Sequence, residues 1–340
     1  MGGGDPWQTG PPVDELGEFE VIARLRRRLG VPAPGVGGIA LGMGDDAALL
    51  RPRPGFECAL TCDIQVEGRH FCREWLSPEQ LGTRAVEVSV SDIAAMGGVP
   101  RAAMISLGLP PDLPLGALLG IYDGIASALD RHQAAVAGGN VTASDTLFID
   151  LAIVGEVEEG RALTRKGAAV GDLVFVTGVP GRAAVAVACL RKGTEPLDPG
   201  LRRAFTEPRA RVDVGRYLVE NGIAHAAIDL SDGLAGDLRH VCEESGVSIV
   251  LDAASLPRCR EVETAADRLG VAAVDLVLGP SDDYELIFVT PPEHADRALA
   301  SFTDGTVSPI GHVVSGPARV FLDEGADELR QLEGGWDHLR

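Results

Sequence analysis

Five short stretches of the sequence set aspartates among glycines and small residues: GDDAAL (44–49), CDIQVEG (62–68), SVSDIAAMGG (89–98), DLSDGL (229–234) and GPSDDYEL (279–286). Carboxylates gathered this way suit hard divalent cations such as Mg²⁺, which take oxygen ligands and leave positions for water or phosphate oxygens. Two or more such cations screen a polyphosphate and the charge that develops as a phosphoryl group moves.

Each stretch also has a plain structural explanation. Asp45 and Asp46 beside glycines make an ordinary solvated turn, and Asp229 and Asp232 fit an N-cap and a first-turn acid. Asp92 resists such an explanation. Leu81, Ala85, Val88 and Asp92 are spaced 4, 3 and 4 apart, so a carboxylate falls on an apolar helical stripe. Burial there is costly unless the group is paired, hydrogen-bonded or bound to a metal. Other signals are weak. GVPGRAA (178–184) follows a strand and could attract an anion, but it has no Walker A lysine and no GxGxxG. His70 has no HxxxH or HExxH neighbourhood, and no GxSxG elbow occurs.

The elements that must position these residues read as mixed α/β (α+β) in two domains. A helix is expected over 14–29, a half-buried strand over 58–66 with Asp63 on its more polar face, and a helix over 77–98. The last opens with Ser77, Pro78 and Gln80, a capping-box start. A helix follows over 115–132 and an alternating strand over 146–157. Beyond it lie a strand at 173–178, an Ala-rich helix, a strand running into a turn at 226–234 and a helix at 235–245. The pattern changes near 158–172, which divides the chain into a tail expected to be disordered (1–15) and domains at 16–160 and 161–340.

The bulk numbers exclude several classes. At 340 residues with 45% hydrophobic and 24% charged residues, the chain supports two ordinary cores. A formal charge of −20 argues against nucleic acid and anionic membranes as partners. The six cysteines form no CxxC pair, which points to reduced thiols and a cytoplasmic location. No signal peptide is visible, and the apolar run at 170–190 is broken by Asp172 and Arg182.

Taken in order, GEFEVIARL, GMGDDAAL, TCDIQVEGRHF, SVSDIAAMG, GGNVT, GRALTRKGAAVGD, VTGVPG, IDLSDGL, DDYEL and GWDHL resemble the thiamine-monophosphate kinase family. That family belongs to a superfamily with aminoimidazole ribonucleotide synthetase and selenophosphate synthetase. The resemblance runs from residue 17 to the C-terminus. It implies a two-domain aminoimidazole ribonucleotide synthetase-like fold: an N-terminal domain that binds ATP and Mg²⁺ and pairs its sheet across a homodimer, and a C-terminal α/β domain. It also implies transfer of the γ-phosphoryl of ATP onto the phosphate of thiamine monophosphate. Carried over by position, Asp45, Asp46, Thr61, Cys62, Asp63, Asp92, Asn140, Asp229 and Asp232 would surround several Mg²⁺ ions. Gly139, Asn140, Arg165 and Ser231 would lie along ATP, and His70, Asp282 and Trp336 would contact thiamine. The acceptor phosphate is already a nucleophile, so no general base is named. The chain departs from the family's usual pattern at Asn140 (commonly Asp), Cys62 (Ser or Thr), Ser89 (Asn) and the loop Pro280–Asp282. The same motifs also fit a paralogous enzyme acting on another small phosphorylated metabolite, or a nucleotide-binding protein with degenerate activity.

Overall fold

The computed structural model describes residues 5–30, 36–194, 198–301, 307–325 and 328–333. Its contacts divide the chain into two units, Met1–Ile93 with Gly98–Gly160, and Ala94–Gly97 with Arg161–Arg340.

In the first unit the elements run α1 (Glu18–Leu29), β1 (Ile39–Leu41), β2 (Leu49–Leu50), β3 (Phe56–Val66), α2 (Pro78–Ala95), β4 (Val99–Leu109), α3 (Leu115–Arg131), β5 (Ala135–Ala143) and β6 (Phe148–Glu158). A four-stranded sheet has the order β3-β6-β4-β5; β4 and β5 are parallel and the other pairs antiparallel. The capping box at the start of α2 forms as its residues dictate: Ser77 N donates to Gln80 Oε1 (2.9 Å) and Gln80 N to Ser77 Oγ (3.2 Å). Gly82 of α2 and Gly124 of α3 let the two helix backbones meet, since a Cβ at either would strike the other helix's backbone at Ile121 or Glu79.

The alternation of β3 is present but its faces are reversed from the simple expectation. The apolar residues Leu60 (75% exposed) and Ile64 (46%) face outward with Cys58 and Cys62, whereas Thr61, Asp63 and Gln65 face inward. The reason is that α2 supplies polar partners on the covered side. Arg84 Nε donates to Gln65 Oε1, and Thr61 Oγ1 donates to Asp92 Oδ2.

The tail expected to be disordered is also corrected, from residue 5 onward. Two short 3₁₀ turns, Pro6–Gln8 and Val13–Glu15, precede α1. Trp7 is 7% exposed and its Nε1 donates to Leu76 O at 3.0 Å. Trp7 anchors it together with Val13 (7% exposed) and backbone bonds to α3 and the segment before it. These bonds, Gly116 N to Thr9 O (2.8 Å), Leu115 N to Pro11 O (2.8 Å) and Val13 N to Leu113 O (3.0 Å), help offset the freedom the Gly/Pro-rich stretch loses. We expect Trp7→Ala to cost about 3 kcal/mol in urea unfolding; a loss under about 0.5 kcal/mol would mark the contact as peripheral.

In the second unit the order is β7 (Leu173–Thr177), α4 (Arg182–Arg191), α5 (Pro199–Thr206), α6 (Val212–Asn221), β8 (Ala226–Leu230), α7 (Leu234–Ser245), β9 (Ser248–Asp252), α8 (Arg260–Leu269), α9 (Ala273–Leu278), β10 (Glu285–Thr290), α10 (Pro292–Ser301), β11 (Val307–Val314), β12 (Val320–Asp323) and β13 (Arg330–Leu332). They build a seven-stranded mixed sheet, β13-β12-β9-β11-β7-β10-β8. One face packs Val174, Val176, Ile228 and Ile287 against Leu234 and Leu238 of α7; the other packs Phe175 and Phe288, stacked 5.2 Å apart, toward Leu218 of α6. The central strands are buried on both sides, so they read as continuous apolar runs. Among the described residues no helix is long and apolar enough to cross a membrane.

Candidate active site

In the first unit the inward face of β3 and the apolar stripe of α2 bring Thr61, Asp63 and Asp92 together. Thr61 donates to Asp92, and Asp63 Oδ2 is buried with no hydrogen-bond partner. Burial, then the neighbouring charge of Asp92, pushes the Asp63 carboxyl up to about 6; a hydrogen bond from Ser89 opposes this. Cys62 lies on the opposite face, where its Sγ donates to Asp150 Oδ1 at 2.9 Å. That bond pushes the thiol up to about 11, so the sulfur is a neutral thiol at ordinary pH and stands apart from the Asp63 group.

A second group lies along a cavity of about 290 Å³ lined by Asp45, Asp46, Gly139 and Asn140 with Arg26 and Tyr122. Asp45 Oδ1 accepts from Asp46 N at 3.1 Å, and both carboxylates are exposed. Asn140 sits on the edge strand β5, and Gly139 beside it presses against the backbone of Ile105. His70 Nδ1 accepts from Val66 N at 3.0 Å, which fixes the neutral tautomer with its proton on Nε2.

In the second unit β8 delivers Asp229 (6% exposed) to its C-terminal end, and the turn Ser231–Asp232–Gly233 starts α7. Asp237 (2% exposed) reaches back from the first turn of α7, and its Oδ2 accepts from Ser231 N (3.0 Å) and Asp232 N (3.1 Å). Burial, followed by the charges of Asp229 and Asp232, pushes its carboxyl up to about 8. Sequence reasoning missed Asp237; the signal available was an acid four residues after the Gly233 turn, which helix capping alone also explains. Gly233 (φ +105°) is held tight against Gly279, so the aspartate turn and the 279–284 loop share one wall.

That loop carries Asp282, which accepts from Tyr284 Oη at 3.3 Å. Tyr284 itself has φ +51°, an unusual conformation for a bulky residue, held by its N–H to Leu230 O at 2.8 Å. Asp283, also unnoticed in the sequence, accepts from Gly181 N (2.6 Å) and Ala183 N (2.9 Å) and caps α4. Arg165 is exposed, and its carbonyl accepts from Ser245 Oγ at 3.0 Å. Trp336 lies outside the described residues.

Among the described residues no three His, Cys, Asp or Glu side chains form a closed metal cage. The donors nevertheless suit a hard divalent cation. They are carboxylate oxygens, one is buried without a partner, and the carboxyls of Asp63 and Asp237 are pushed up, to about 6 and about 8, by burial and like charge that a cation would reverse.

Comparison with known proteins agrees with this architecture. Residues 44–157 match the family model described as AIR synthase related protein, N-terminal domain, and residues 169–323 match the AIR synthase related protein, C-terminal domain. That defines the class. The thiamine-monophosphate kinase of Aquifex aeolicus is 34% identical over 96% of this chain and 99% of its own length. The crystal structure of thiamine-monophosphate kinase from Stenotrophomonas maltophilia K279a superposes with a TM-score of 0.79 at 34% identity, covering 91% of this chain and 97% of that one. AaThiL complexed with AMPPCP and TMP gives a TM-score of 0.75 at 32% identity, over 95% and 97% of the two chains. The chain belongs to the thiamine-monophosphate kinase family.

Proposed function

We propose that the protein transfers the γ-phosphoryl of ATP onto the phosphate of thiamine monophosphate, giving thiamine diphosphate. The observation that carries this reading is kinship over almost the whole chain with the Aquifex kinase, 34% identical across 96% of the sequence. AaThiL complexed with AMPPCP, a non-hydrolysable ATP analogue, and TMP supports ATP as the donor.

Asp45, Asp46, Asp63, Asp92 and Asn140 in the first unit, and Asp229 and Asp232 in the second, are the residues that would hold Mg²⁺, with Thr61 and the backbone of Cys62 as further oxygen donors. Bound Mg²⁺ would neutralise phosphate charge, the main barrier to bringing two polyanions together. By the family resemblance Gly139, Asn140, Ser231 and Arg165 are the residues that would contact ATP. His70 Nε2–H and the Asp282 carboxylate would serve the thiamine end, to which Trp336, outside the described residues, is assigned from the sequence alone as a candidate to stack on a heteroaromatic ring. The acceptor phosphate attacks as it stands, so positioning and charge neutralisation supply the catalysis. Incubation with Mg-ATP and thiamine monophosphate, followed by chromatography, should show the diphosphate; no product across a range of Mg²⁺ concentrations would overturn the assignment.

Asn140 supplies an oxygen but no charge beside Asp45 and Asp46. Asn140→Asp is expected to lower the Mg²⁺ concentration for half-maximal turnover by about ten-fold, from one added carboxylate. An unchanged Mg²⁺ titration would remove residue 140 from the metal set.

The outward face of the four-stranded sheet is covered by a second copy of the chain. Leu60 (75% exposed), Ile64 (46%) and Met104 (40%) lie on it, and three such side chains on one sheet face are an unusual surface for a monomer. Light scattering should give a dimer for the native chain and a monomer for Leu60→Glu/Ile64→Lys. A native monomer at micromolar concentration would refute the pairing. The free cysteines, two of them exposed, agree with a cytoplasmic location.

A further inference from the structure

We propose that the second unit contains an anion-binding cavity for a small phosphate-bearing ligand, either free orthophosphate or a phosphomonoester, built on Arg182, Arg203 and Arg209. The cavity measures about 340 Å³ and lies between the start of α4, α5 and the segment leading into α6. That volume is at the small end of ligand pockets (about 300–1,000 Å³).

Charge is the first argument. Four arginines and three acids line the cavity in a chain whose formal charge is −20. None of these acids stands free. Asp283 caps α4 through Gly181 N and Ala183 N, and Glu285 is gripped by Arg211 through bonds of 2.5 and 2.6 Å and by Thr177 Oγ1 at 2.5 Å. What remains is Arg182, Arg203 and Arg209. These three arginines have no ion-pair partner among the described residues. A concave wall of cations focuses positive potential well beyond a flat surface.

Geometry is the second argument. Arg182 Nε is buried and has no hydrogen-bond partner. A buried donor left unmade costs about 1–3 kcal/mol, more for a charged group, so it calls for an acceptor. The guanidinium lies over Gly200: a Cβ there would stand 2.8 Å from Arg182 Nη2, so glycine leaves the space the arginine occupies. Asp198, beside Gly200, is engaged by Gly200 N (2.6 Å) and Leu201 N (3.3 Å). The fork of an arginine matches two oxygens of a phosphate, an acceptor that Arg182 lacks within the cavity. A cation such as the thiazolium of thiamine would be repelled here, so the cavity is not a further acceptor pocket for that ring.

The test is calorimetric titration of the full-length protein in EDTA with orthophosphate and, separately, glycerol 3-phosphate. Without Mg²⁺ or ATP, neither the aspartate groups nor turnover contributes, so the result stands independently of the kinase reading. Saturable binding by the native chain is expected, weakened at least ten-fold in Arg182→Gln and in the exposed Arg209→Gln. It should be unchanged in Lys192→Gln, whose Nζ bonds Leu269 O outside the cavity. A tighter phosphomonoester identifies a metabolite site and a tighter orthophosphate a free-phosphate site. Absence of saturable binding, or equal affinity in both arginine variants with unchanged melting curves, overturns the proposal.

Discussion

Asp63→Asn is expected to lower kcat by about 10³-fold, the scale of losing one preorganised electrostatic contact or more, while raising the melting temperature of the metal-free protein. The two effects share one cause. Asp63 is buried against Asp92 with Oδ2 unpartnered, and its carboxyl sits at about 6. A carboxyl raised in the fold contributes stability that is present at low pH and lost as pH rises through its folded value. At pH 7.5 the native chain therefore carries an uncompensated charge that the amide removes. The amide also turns a repulsive neighbour of Asp92 into a donor. We expect a gain of about 1 kcal/mol, or roughly 2–4 °C for a domain of this size. Turnover at saturating Mg²⁺ and melting in EDTA separate the two. A variant that is both inactive and less stable would place Asp63 in the scaffold instead.

Asp237→Asn should strongly change the pH dependence of stability between about pH 4 and 8. Its carboxyl stands at about 8 in the fold against an ordinary value of 3.8, so the folded chain holds a proton that the unfolded chain releases from about pH 4 upward. The native protein should then lose stability from this group between pH 4 and 8. The loss is on the order of 2–4 kcal/mol once relaxation of the buried charge is allowed for. Asn keeps an oxygen that can accept from Ser231 N and Asp232 N, so the turn survives. The variant should match the native chain at pH 4 and exceed it by an increasing margin toward pH 8, measured by urea unfolding in EDTA. A margin that stays constant with pH would mean the carboxyl is ionised throughout.

Much of this was legible in the sequence, and the parts that were not share a physical reason. The capping box at Ser77–Gln80 and the stripe ending at Asp92 depend on residues a turn or two apart, so periodicity locates them. The faces of β3 do not. Alternation shows that Leu60 and Ile64 share one side, but not which side the chain's own helices cover; Gln65 finding Arg84 is a contact between elements. Trp7 was hidden by glycines and prolines around it. Asp237 and Asp283 look like ordinary capping acids until the fold returns them to the 231–232 turn and to α4. Trp336 stays a sequence assignment, outside the described residues.

The close crossing of α2 and α3 at Gly82 and Gly124 has a consequence for hydrogen exchange. Two backbones in direct contact cannot separate by side-chain rearrangement, so their amides should open together and only with the sheet beneath them. Asp92 rides on that slow-exchanging block. Asp45 and Asp46 stand on an exposed turn between the three-residue β1 and two-residue β2, whose amides should exchange orders of magnitude faster. The first unit thus offers one set of oxygens whose positions are fixed before any ligand arrives and another that can still adjust to it.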